Sequence, residues 1–422
     1  MGGSSSSACA RACERIQGGA RVLMASLSIN RLRAGRILAI DAFRGITFLV
    51  MIFVNELGGV GGISRWLKHM PADADAMSFP DVVFPAFLFI VGMSIPFAVQ
   101  ARLAKGDGPW GVQWHILYRA FALIVLGFFM VNAEEGFNAA LMPLSIHAWS
   151  LLFYLAVFLV WGVLRFEHVV LMRAARLIGI ALIVVLALLY RGGPDGHEWM
   201  TPQWWGILGL IGWAYFYSSE FYLLSRGRLV PVLASLVFCV GYYAAAHSGG
   251  LASSMAWFYS QEPHAAHSQI VLAGVACTLI FFDATRPDSN RRRFIEAFAF
   301  ALVLAVAAFL LRPYFKISKI YATPSWCLYC AAICVVVFAL LYWVVDIRGR
   351  DGWTRLIDPA ASNPLVTYLL PFIVLSVMTL AGLDTPEVLH SGWPGILWAA
   401  SYACLIVGLV ALLSRRGVAL KI

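Results

Sequence analysis

The sequence predicts an all-α polytopic membrane protein with about twelve transmembrane helices and with both termini in the cytoplasm. Hydrophobic residues make up 61% of the 422 residues and charged residues only 13%, whereas soluble globular domains carry about 25% charged residues. Apolar segments that reach the roughly 20 residues needed to cross a hydrocarbon core as a helix recur along the whole chain. Positive charges also alternate in number between successive connecting segments.

The apolar segments follow one another from residue 38 to residue 413. They cover residues 38–57, 80–100, 115–132, 146–165, 173–190, 203–224, 230–247, 268–283, 294–311, 325–346, 363–382 and 393–413. Residues 1–37 contain no apolar core of signal-peptide type before Arg31, so they are predicted to be a disordered cytoplasmic lead. Residues 38–422 are predicted to form a single transmembrane domain.

The distribution of Lys and Arg tests both the number and the direction of these segments. With a cytoplasmic N-terminus, 23 of the 31 basic residues fall on inner segments, 6 fall on outer loops, and Arg44 and Arg119 lie within predicted helices. Positive charge prefers the cytoplasmic side of short loops. One missing or added helix would scramble this alternation, so the charges favour twelve helices.

The charge pattern also narrows the partners. The net charge of +9 suits anionic lipid headgroups. The sequence contains no basic stripe interleaved with aromatic residues, so it does not predict nucleic-acid binding. The cysteines of the sequence Cys327, Cys330 and Cys334 share a helix face without a nearby carboxylate or His, which favours packing over a metal site. We predict no metal, and a homodimer remains one of the alternatives for the oligomeric state.

Chemically reactive residues concentrate in residues 41–96. Asp41 and Arg44 lie three residues apart at the inner end of the first helix, where they can bind an anionic ligand or simply neutralise each other. Asn55 lies at the outer end of that helix, where its amide can cap the helix or stabilise developing negative charge.

The outer loop that follows contains His69, and Asp81 begins the returning helix twelve residues later. Histidine is the side chain best matched to proton transfer near neutral pH, and a carboxylate can orient or balance an imidazole. Pro85 lies one turn into the returning helix, where it either leaves a backbone carbonyl free to line a cavity or only kinks the helix.

Two sequence blocks resemble one family. The first reads Asp-x-Phe-Arg-Gly, Val-Asn, Leu-Lys-His and Asp-Val-Val-Phe-Pro-x-Phe-Leu-Phe-Ile-Val-Gly-x-Ser-Ile; the second contains Thr-Pro-Ser-Trp326, Val-Val-Asp346-Ile-Arg-Gly and Asn363-Pro-Leu-Val-Thr-Tyr368. Together they cover about a third of the chain and are similar to the transmembrane acetyltransferases of the heparan-α-glucosaminide N-acetyltransferase type. The chain would be a bacterial-type relative without the luminal domain, in the bacterial inner membrane.

The resemblance implies that acetyl-CoA is used from the cytoplasmic side and that its acetyl group reaches an amino sugar or glycan on the far side. By position, His69 matches the family's catalytic histidine and Asn55 its active-site asparagine, and we assign Asp81 to the catalytic group with them. The predicted acetyl-CoA contacts are at both ends of the chain and comprise Asp41, Arg44, Arg119, Lys319, Trp326 and Asn363.

Two other classes of function remain open from the sequence. An O-acyltransferase acting on polysaccharide hydroxyls would use the same His and the same donor. A transporter would also have about twelve helices and intramembrane charges. Against a transporter, the two halves of the chain show no internal repeat, and the reactive residues concentrate at one membrane face.

Overall fold

The structure is a computed structural model that describes residue 32, residues 37–163, residues 168–247, residue 258 and residues 260–422. Except for residues 32 and 37, the predicted cytoplasmic lead of residues 1–37 lies outside the described residues.

The described ranges contain twelve helices of 16 to 26 residues, and each coincides with one predicted apolar segment. Extended backbone within these ranges forms isolated bridges such as the one between Gly162 and Leu420. The helices are α1 Leu38–Leu57, α2 Pro80–Ala104, α3 Pro109–Glu134, α4 Ile146–Trp161, α5 Val169–Leu189, α6 Gly206–Leu224, α7 Leu229–Ala246, α8 Glu262–Phe282, α9 Asn290–Phe315, α10 Pro324–Tyr342, α11 Pro364–Leu380 and α12 Gly392–Arg415.

Length and composition support the membrane assignment. In the described part of the chain, nine of these helices are long and apolar enough to cross a membrane, and α4 and α11 are apolar but shorter. The protein is therefore an all-α integral membrane protein. The short connections between several helices, such as residues 105–108 between α2 and α3, place consecutive helices as antiparallel neighbours.

Helix α8 is the centre of the bundle, because 94% of its apolar window is buried inside the protein. It packs against α2 at two glycines. A Cβ added at Gly92 would lie 1.9 Å from the Val271 carbonyl oxygen, and one added at Gly274 would lie 2.1 Å from the Phe89 carbonyl oxygen. Only glycine allows the two backbones to approach this closely. This contact fixes the depth of α2, which carries Asp81 at the end that the positive charges predict to be the outer one.

Helix α2 continues through its internal prolines as one element from Pro80 to Ala104. Pro85 has no N–H to donate to the carbonyl oxygen of Asp81, four residues earlier. The indole Nε1 of Trp326, in α10, donates to that oxygen at 3.1 Å. The carbonyl that Pro85 leaves without a helical partner is thus bonded to a buried side chain, so packing satisfies it and joins α2 to α10.

The two sequence blocks also meet at the inner end of the bundle. The Asp346 carboxylate, which follows α10, accepts hydrogen bonds from the backbone N–H groups of Ala39 at 2.9 Å and Leu38 at 3.2 Å. A carboxylate at this position caps the first turn of α1. The first turn of α1, which leads into Asp41 and Arg44, is therefore held by a residue of the other block.

Candidate active site

His69 and Asp81 form the central pair of the outer site. The imidazole Nδ1 of His69 lies 2.7 Å from the Asp81 Oδ1, with the carboxylate buried and the imidazole 45% exposed. An ionised carboxylate can only accept hydrogen bonds, so Nδ1 carries the shared proton and Nε2 is the acceptor nitrogen of the ring. The carboxylate therefore fixes the imidazole tautomer and leaves the ring accessible from the outer side.

Three further hydrogen bonds hold the Asp81 carboxylate in place. Its Oδ2 accepts from the Ser78 backbone N–H at 2.9 Å, from the Ser78 hydroxyl at 2.9 Å and from the Met70 backbone N–H at 3.2 Å. Hydrogen bonds of this kind offset the cost of burying a charged carboxylate. The orientation of His69 is thus set by a carboxylate that is itself fixed by the loop that carries His69.

Lys319 completes the outer site from a distant part of the sequence. Its Nζ lies 3.2 Å from both ring nitrogens of His69. Burial lowers the pKa of the Lys319 ammonium, although the nearby Asp81 carboxylate acts in the opposite direction. The outer site therefore combines a tautomer-fixed imidazole with an amine whose charge is held less firmly than that of an exposed lysine.

A second contact explains why Lys319 lies beside His69, because it joins the loop that carries His69 to the chain that carries Lys319. Asp75, six residues after His69, accepts from the Arg312 Nε at 3.2 Å and from the Ile317 backbone N–H at 2.8 Å. Burial alone would raise the pKa of the Asp75 carboxyl, but these hydrogen bonds lower it below its usual value. The loop of residues 58–79 is therefore fixed to the loop of residues 316–323 beside Lys319.

Of the other predicted site residues, Trp326 is buried behind the pair of His69 and Asp81, whereas Asn55 is exposed. Trp326 is fully buried, and it contacts the backbone of Asp81 instead of a solvent-accessible cavity. Asn55 is exposed near the outer end of α1, and its backbone carbonyl accepts from Gly58 at 3.2 Å in the helix-ending turn. Its side chain is thus accessible at the same face as His69.

A cavity of about 920 Å³ opens at the inner end of the bundle, between α1, α2, α3, α6 and α11, and extends along α2 as far as Phe87. Among the described residues, four Arg and Lys side chains line it, together with the carboxylates of Asp41 and Asp358; these cations are Arg44, Arg102, Arg119 and Lys421. Its volume lies in the range of about 300 to 1,000 Å³ that is usual for small-molecule sites. The excess of positive charge makes this cavity suitable for an anionic ligand.

The cations of the cavity have weak or few partners. Arg44 contacts Asp41 at 3.3 Å and the Ser94 hydroxyl at 3.1 Å. The guanidinium of Arg119 lies 5.0 Å from the ring centroid of Tyr215, an aromatic contact that holds it in position without neutralising its charge. Asp41, Arg44 and Arg119, predicted separately from the sequence, thus line one cavity.

Asn363 lies beside the cavity, but its buried side chain points to the C-terminal segment. Its Nδ2 donates to the Val418 carbonyl at 2.9 Å and to the Ser414 hydroxyl at 3.3 Å. The residues on either side of it, Ser362 and Pro364, line the cavity. The structure therefore separates Asn363 from the cations and joins it to residues 414–418.

Sequence reasoning missed two polar residues of the cavity on the inner side of α2 and α3. Arg102 contacts Asp107 at 3.4 Å and the His115 Nδ1 at 3.0 Å across the short connection between these helices. The sequence contained a signal for this contact, because Arg102 and His115 lie on either side of a four-residue inner loop. Antiparallel helices joined by such a loop bring these positions together. Lys421, also missed, gave no local signal because its position depends on the fold of the C-terminal segment.

The histidines of α8 form a separate group. His264 and His267 are each 5% exposed and are surrounded by aromatic rings, with Trp213 at 5.0 Å from His264 and Phe84 at 5.4 Å from His267, measured between ring centroids. Among the described residues, no group of three or more His, Cys, Asp or Glu side chains is arranged to hold a metal ion.

Two curated proteins resemble part of the chain. Human heparan-α-glucosaminide N-acetyltransferase (Homo sapiens) is 37% identical over 111 residues, which is 26% of this chain and 15% of that protein. The protein of the same name from mouse (Mus musculus) is 35% identical over 117 residues, or 28% of this chain and 16% of that protein. No family profile matches the chain.

These alignments confirm the relationship predicted from the two sequence blocks, and they define its extent. The matched stretches cover about a sixth of each curated relative. Over about a quarter of its own length, the chain is related to the heparan-α-glucosaminide N-acetyltransferases.

Proposed function

We propose that this protein is a transmembrane acetyltransferase. It takes an acetyl group from acetyl-CoA at the cytoplasmic face and transfers it to the amine of an amino sugar at the opposite face. The names of the related human and mouse proteins support N-acetyl transfer and a glucosaminide acceptor. The arrangement of the two polar sites supports transfer across the membrane.

The observation that carries this proposal is that the two sites lie along one helix. On α2, the cavity is lined from Arg102, near the inner end, to Phe87, and Asp81 lies six residues further toward the outer end. At a rise of 1.5 Å per residue, the cavity follows α2 for about 22 Å and stops about 9 Å before Asp81. A donor bound in the cavity would therefore approach His69 from inside the bundle.

The charges of the cavity suit the two ends of acetyl-CoA differently. The phosphates of CoA cannot enter hydrocarbon, and Arg44 and Arg119 offer cations for them near the inner face. The neutral acetyl-pantetheine arm can extend along the apolar part of the cavity. Phe48 and Phe87, whose ring centroids are 4.6 Å apart, close the outer end of the cavity on α1 and α2. The thioester would pass these rings to reach His69.

At the outer site, acyl transfer needs a base and a group that stabilises the oxyanion. The His69 Nε2 would take a proton from the attacking amine, and the Asp81 carboxylate would stabilise the imidazolium that forms. As the tetrahedral intermediate collapses, the C–S bond breaks and the proton passes to the CoA thiolate. A two-step route through an acetyl-imidazole at His69 uses the same groups.

Two side chains are available to stabilise the oxyanion. The Lys319 ammonium lies within 3.2 Å of the His69 ring, so a carbonyl oxygen beside that ring would be within its reach. The Asn55 amide is exposed at the end of α1, and we propose it as the second donor to this charge. In this proposal, Lys319 contacts the thioester end of acetyl-CoA, whereas Arg44 and Arg119 contact the phosphate end.

The acceptor and the reaction class can be tested in one assay. Vesicles containing the protein are loaded with acetyl-CoA and supplied outside with glucosamine or, as a matched control, with N-acetylglucosamine, whose amine is blocked but whose hydroxyls remain. We expect acetylation of glucosamine alone. Acetylation of both sugars would support the O-acyltransferase alternative, and no acetylation of either sugar would contradict the proposal and favour a transporter.

We propose the bacterial inner membrane as the location of the protein. Its orientation in that membrane can be tested by cysteine labelling. A cysteine replacing Asp73 is expected to react with an impermeant reagent from outside intact cells, and one replacing Asp288 only after the cells are opened. Both positions are exposed in connecting loops. The background protein lacks Cys9, Cys13 and the exposed Cys404. Labelling of both sites from the same side would contradict the helix count.

A further inference from the structure

The C-terminal segment, residues 418–422, lies against the inner end of the bundle instead of extending away from it. After α12 it passes Asn363 and runs antiparallel to the chain that follows α4. The Ala419 carbonyl accepts from the Val163 N–H at 2.8 Å, and the Lys421 N–H donates to the Trp161 carbonyl at 3.0 Å. Hydrogen bonds on both sides of Leu420 therefore hold the backbone of this segment in one position.

The Asn363 side chain holds the same segment from the other side. This amide is only 4% exposed, and it donates to the Val418 carbonyl at 2.9 Å and accepts from the Leu420 N–H at 3.5 Å. Leu420 is itself buried, at 5% exposure. Because a buried amide without partners is costly, the position of Asn363 and that of the segment depend on each other.

The fixed segment brings a cation to the donor cavity. Leu420, Lys421 and Ile422 line the cavity together with Arg44 and Arg119, and the Lys421 side chain is exposed to it. Without residues 418–422, the cavity would lose one wall and one of the four cations that the described part of the chain places there. The partners of the segment that hold it in place, Trp161, Val163 and Asn363, are not themselves cations of the cavity.

We propose that residues 418–422 form one wall of the acetyl-CoA site, that Lys421 binds the phosphates of the donor and that Asn363 positions Lys421. This inference rests on the proposed function, since it names a residue of the same donor site. Lys421 acts on the phosphate end of the donor, so it contributes to binding and not to the transfer step at His69. Asn363 is a positioning residue, because its side chain contacts the segment and not the cavity.

The test compares two donors that share the thioester and differ in their phosphates. Acetyl-CoA carries them, and S-acetylpantetheine carries none. In Lys421→Ala, the KM for acetyl-CoA should rise about tenfold, the effect of losing one charge-assisted hydrogen bond. The KM for S-acetylpantetheine and the kcat with either donor should stay near the wild-type values. Lys421→Arg, which keeps the charge, should restore most of the affinity for acetyl-CoA.

Arg416→Ala is the matched control, since it removes a positive charge five residues away that does not line the cavity. Asn363→Ala should raise the KM for acetyl-CoA in the same donor-dependent way as Lys421→Ala. If Lys421→Ala and Arg416→Ala behave alike, or if both donors are affected equally, the inference is wrong. A wild-type protein that neither binds acetyl-CoA nor transfers its acetyl group would instead overturn the proposed function itself.

Discussion

The outer and inner sites differ in how firmly their charged groups are held. At the outer site, the Asp81 carboxylate has four hydrogen-bonding contacts, and it fixes one nitrogen of His69 at 2.7 Å. At the inner cavity, Arg44 has contacts of 3.1 and 3.3 Å, and the charge of Arg119 is held by an aromatic ring. A rigid arrangement suits bond-making, whereas looser cations suit the binding of several phosphates. The comparison therefore predicts large losses of rate from outer substitutions and moderate losses of affinity from inner ones.

The largest effect is expected for His69→Ala. If His69 is the base or the acyl carrier, the transfer rate should fall by about 10² to 10⁴, the usual contribution of a positioned acid or base. Acetyl-CoA binding should be unchanged, because His69 lies outside the inner cavity. Single-turnover transfer and a binding titration measure the two properties separately.

His390→Ala is the control for this substitution, since it removes another exposed histidine from an outer loop. It should keep the wild-type rate. Transfer at a near wild-type rate by His69→Ala would remove the proposed mechanism and make a transporter the better interpretation.

The next effect is expected for Asn55→Ala. If the exposed amide stabilises the oxyanion, the rate should fall by roughly 10² to 10³, as for the loss of one such donor. Asn55→Asp removes the donor while keeping the shape of the side chain, so it should be no more active. Thermal stability separates this role from helix capping. If Asn55 only caps the helix, Asn55→Ala should lower the stability of the protein and leave the rate per folded molecule intact.

A smaller effect, on affinity, is expected for Arg44→Ala. Loss of one charge-assisted hydrogen bond should weaken acetyl-CoA binding by about tenfold at low salt. The difference between variant and wild type should shrink as salt rises, because salt screens the attraction that only the wild type has. Arg415→Ala, a charge change at the inner end of α12 away from the cavity, is the control. Unchanged donor affinity in Arg44→Ala would assign this residue to helix packing.

The sequence predicted the helices well because the bilayer imposes their length and apolarity. Each predicted segment has its helix, but α8 begins at Glu262, six residues before the predicted start. Polar residues before the predicted start, such as His264 and His267, are buried in that helix. The hydropathy pattern takes polar residues as a sign of a loop, whereas a helix surrounded by protein can include them.

The candidate site was predictable where its residues are close in sequence. The pairing of His69 with Asp81 follows from a loop of twelve residues, and the structure has it. The approach of Lys319 to His69 joins residues 250 positions apart, and it depends on the packing of α9 and α10 and on the contact between Asp75 and Arg312. No local pattern encodes such a contact. The same holds for Asn363, whose partners lie more than 50 residues away.

The smallest effect at neutral pH, and the sharpest test of the contrast between the sites, concerns Lys319→Arg. Burial lowers the pKa of the Lys319 ammonium from the ordinary value of 10.5. The wild-type enzyme should therefore lose its oxyanion-stabilising charge, and with it activity, as the pH rises through this lowered value. Arginine remains charged across the accessible range. Lys319→Arg should retain activity near neutral pH and lack this alkaline decrease in kcat.

Lys319→Met should have a low kcat at every pH, without the alkaline decrease that depends on Lys319. Stability provides an independent check of the sign. The unfolded chain holds the lysine proton more tightly than the folded protein, so the free energy of unfolding should rise with pH between the lowered pKa and 10.5. This rise should be absent in Lys319→Met. Lys316→Ala, which removes an exposed lysine from the same loop, should keep the wild-type pH profile. An identical alkaline decrease in wild type and Lys319→Arg would show that the charge of Lys319 has no part in transfer, and the outer site would then depend on Asn55 for oxyanion stabilisation.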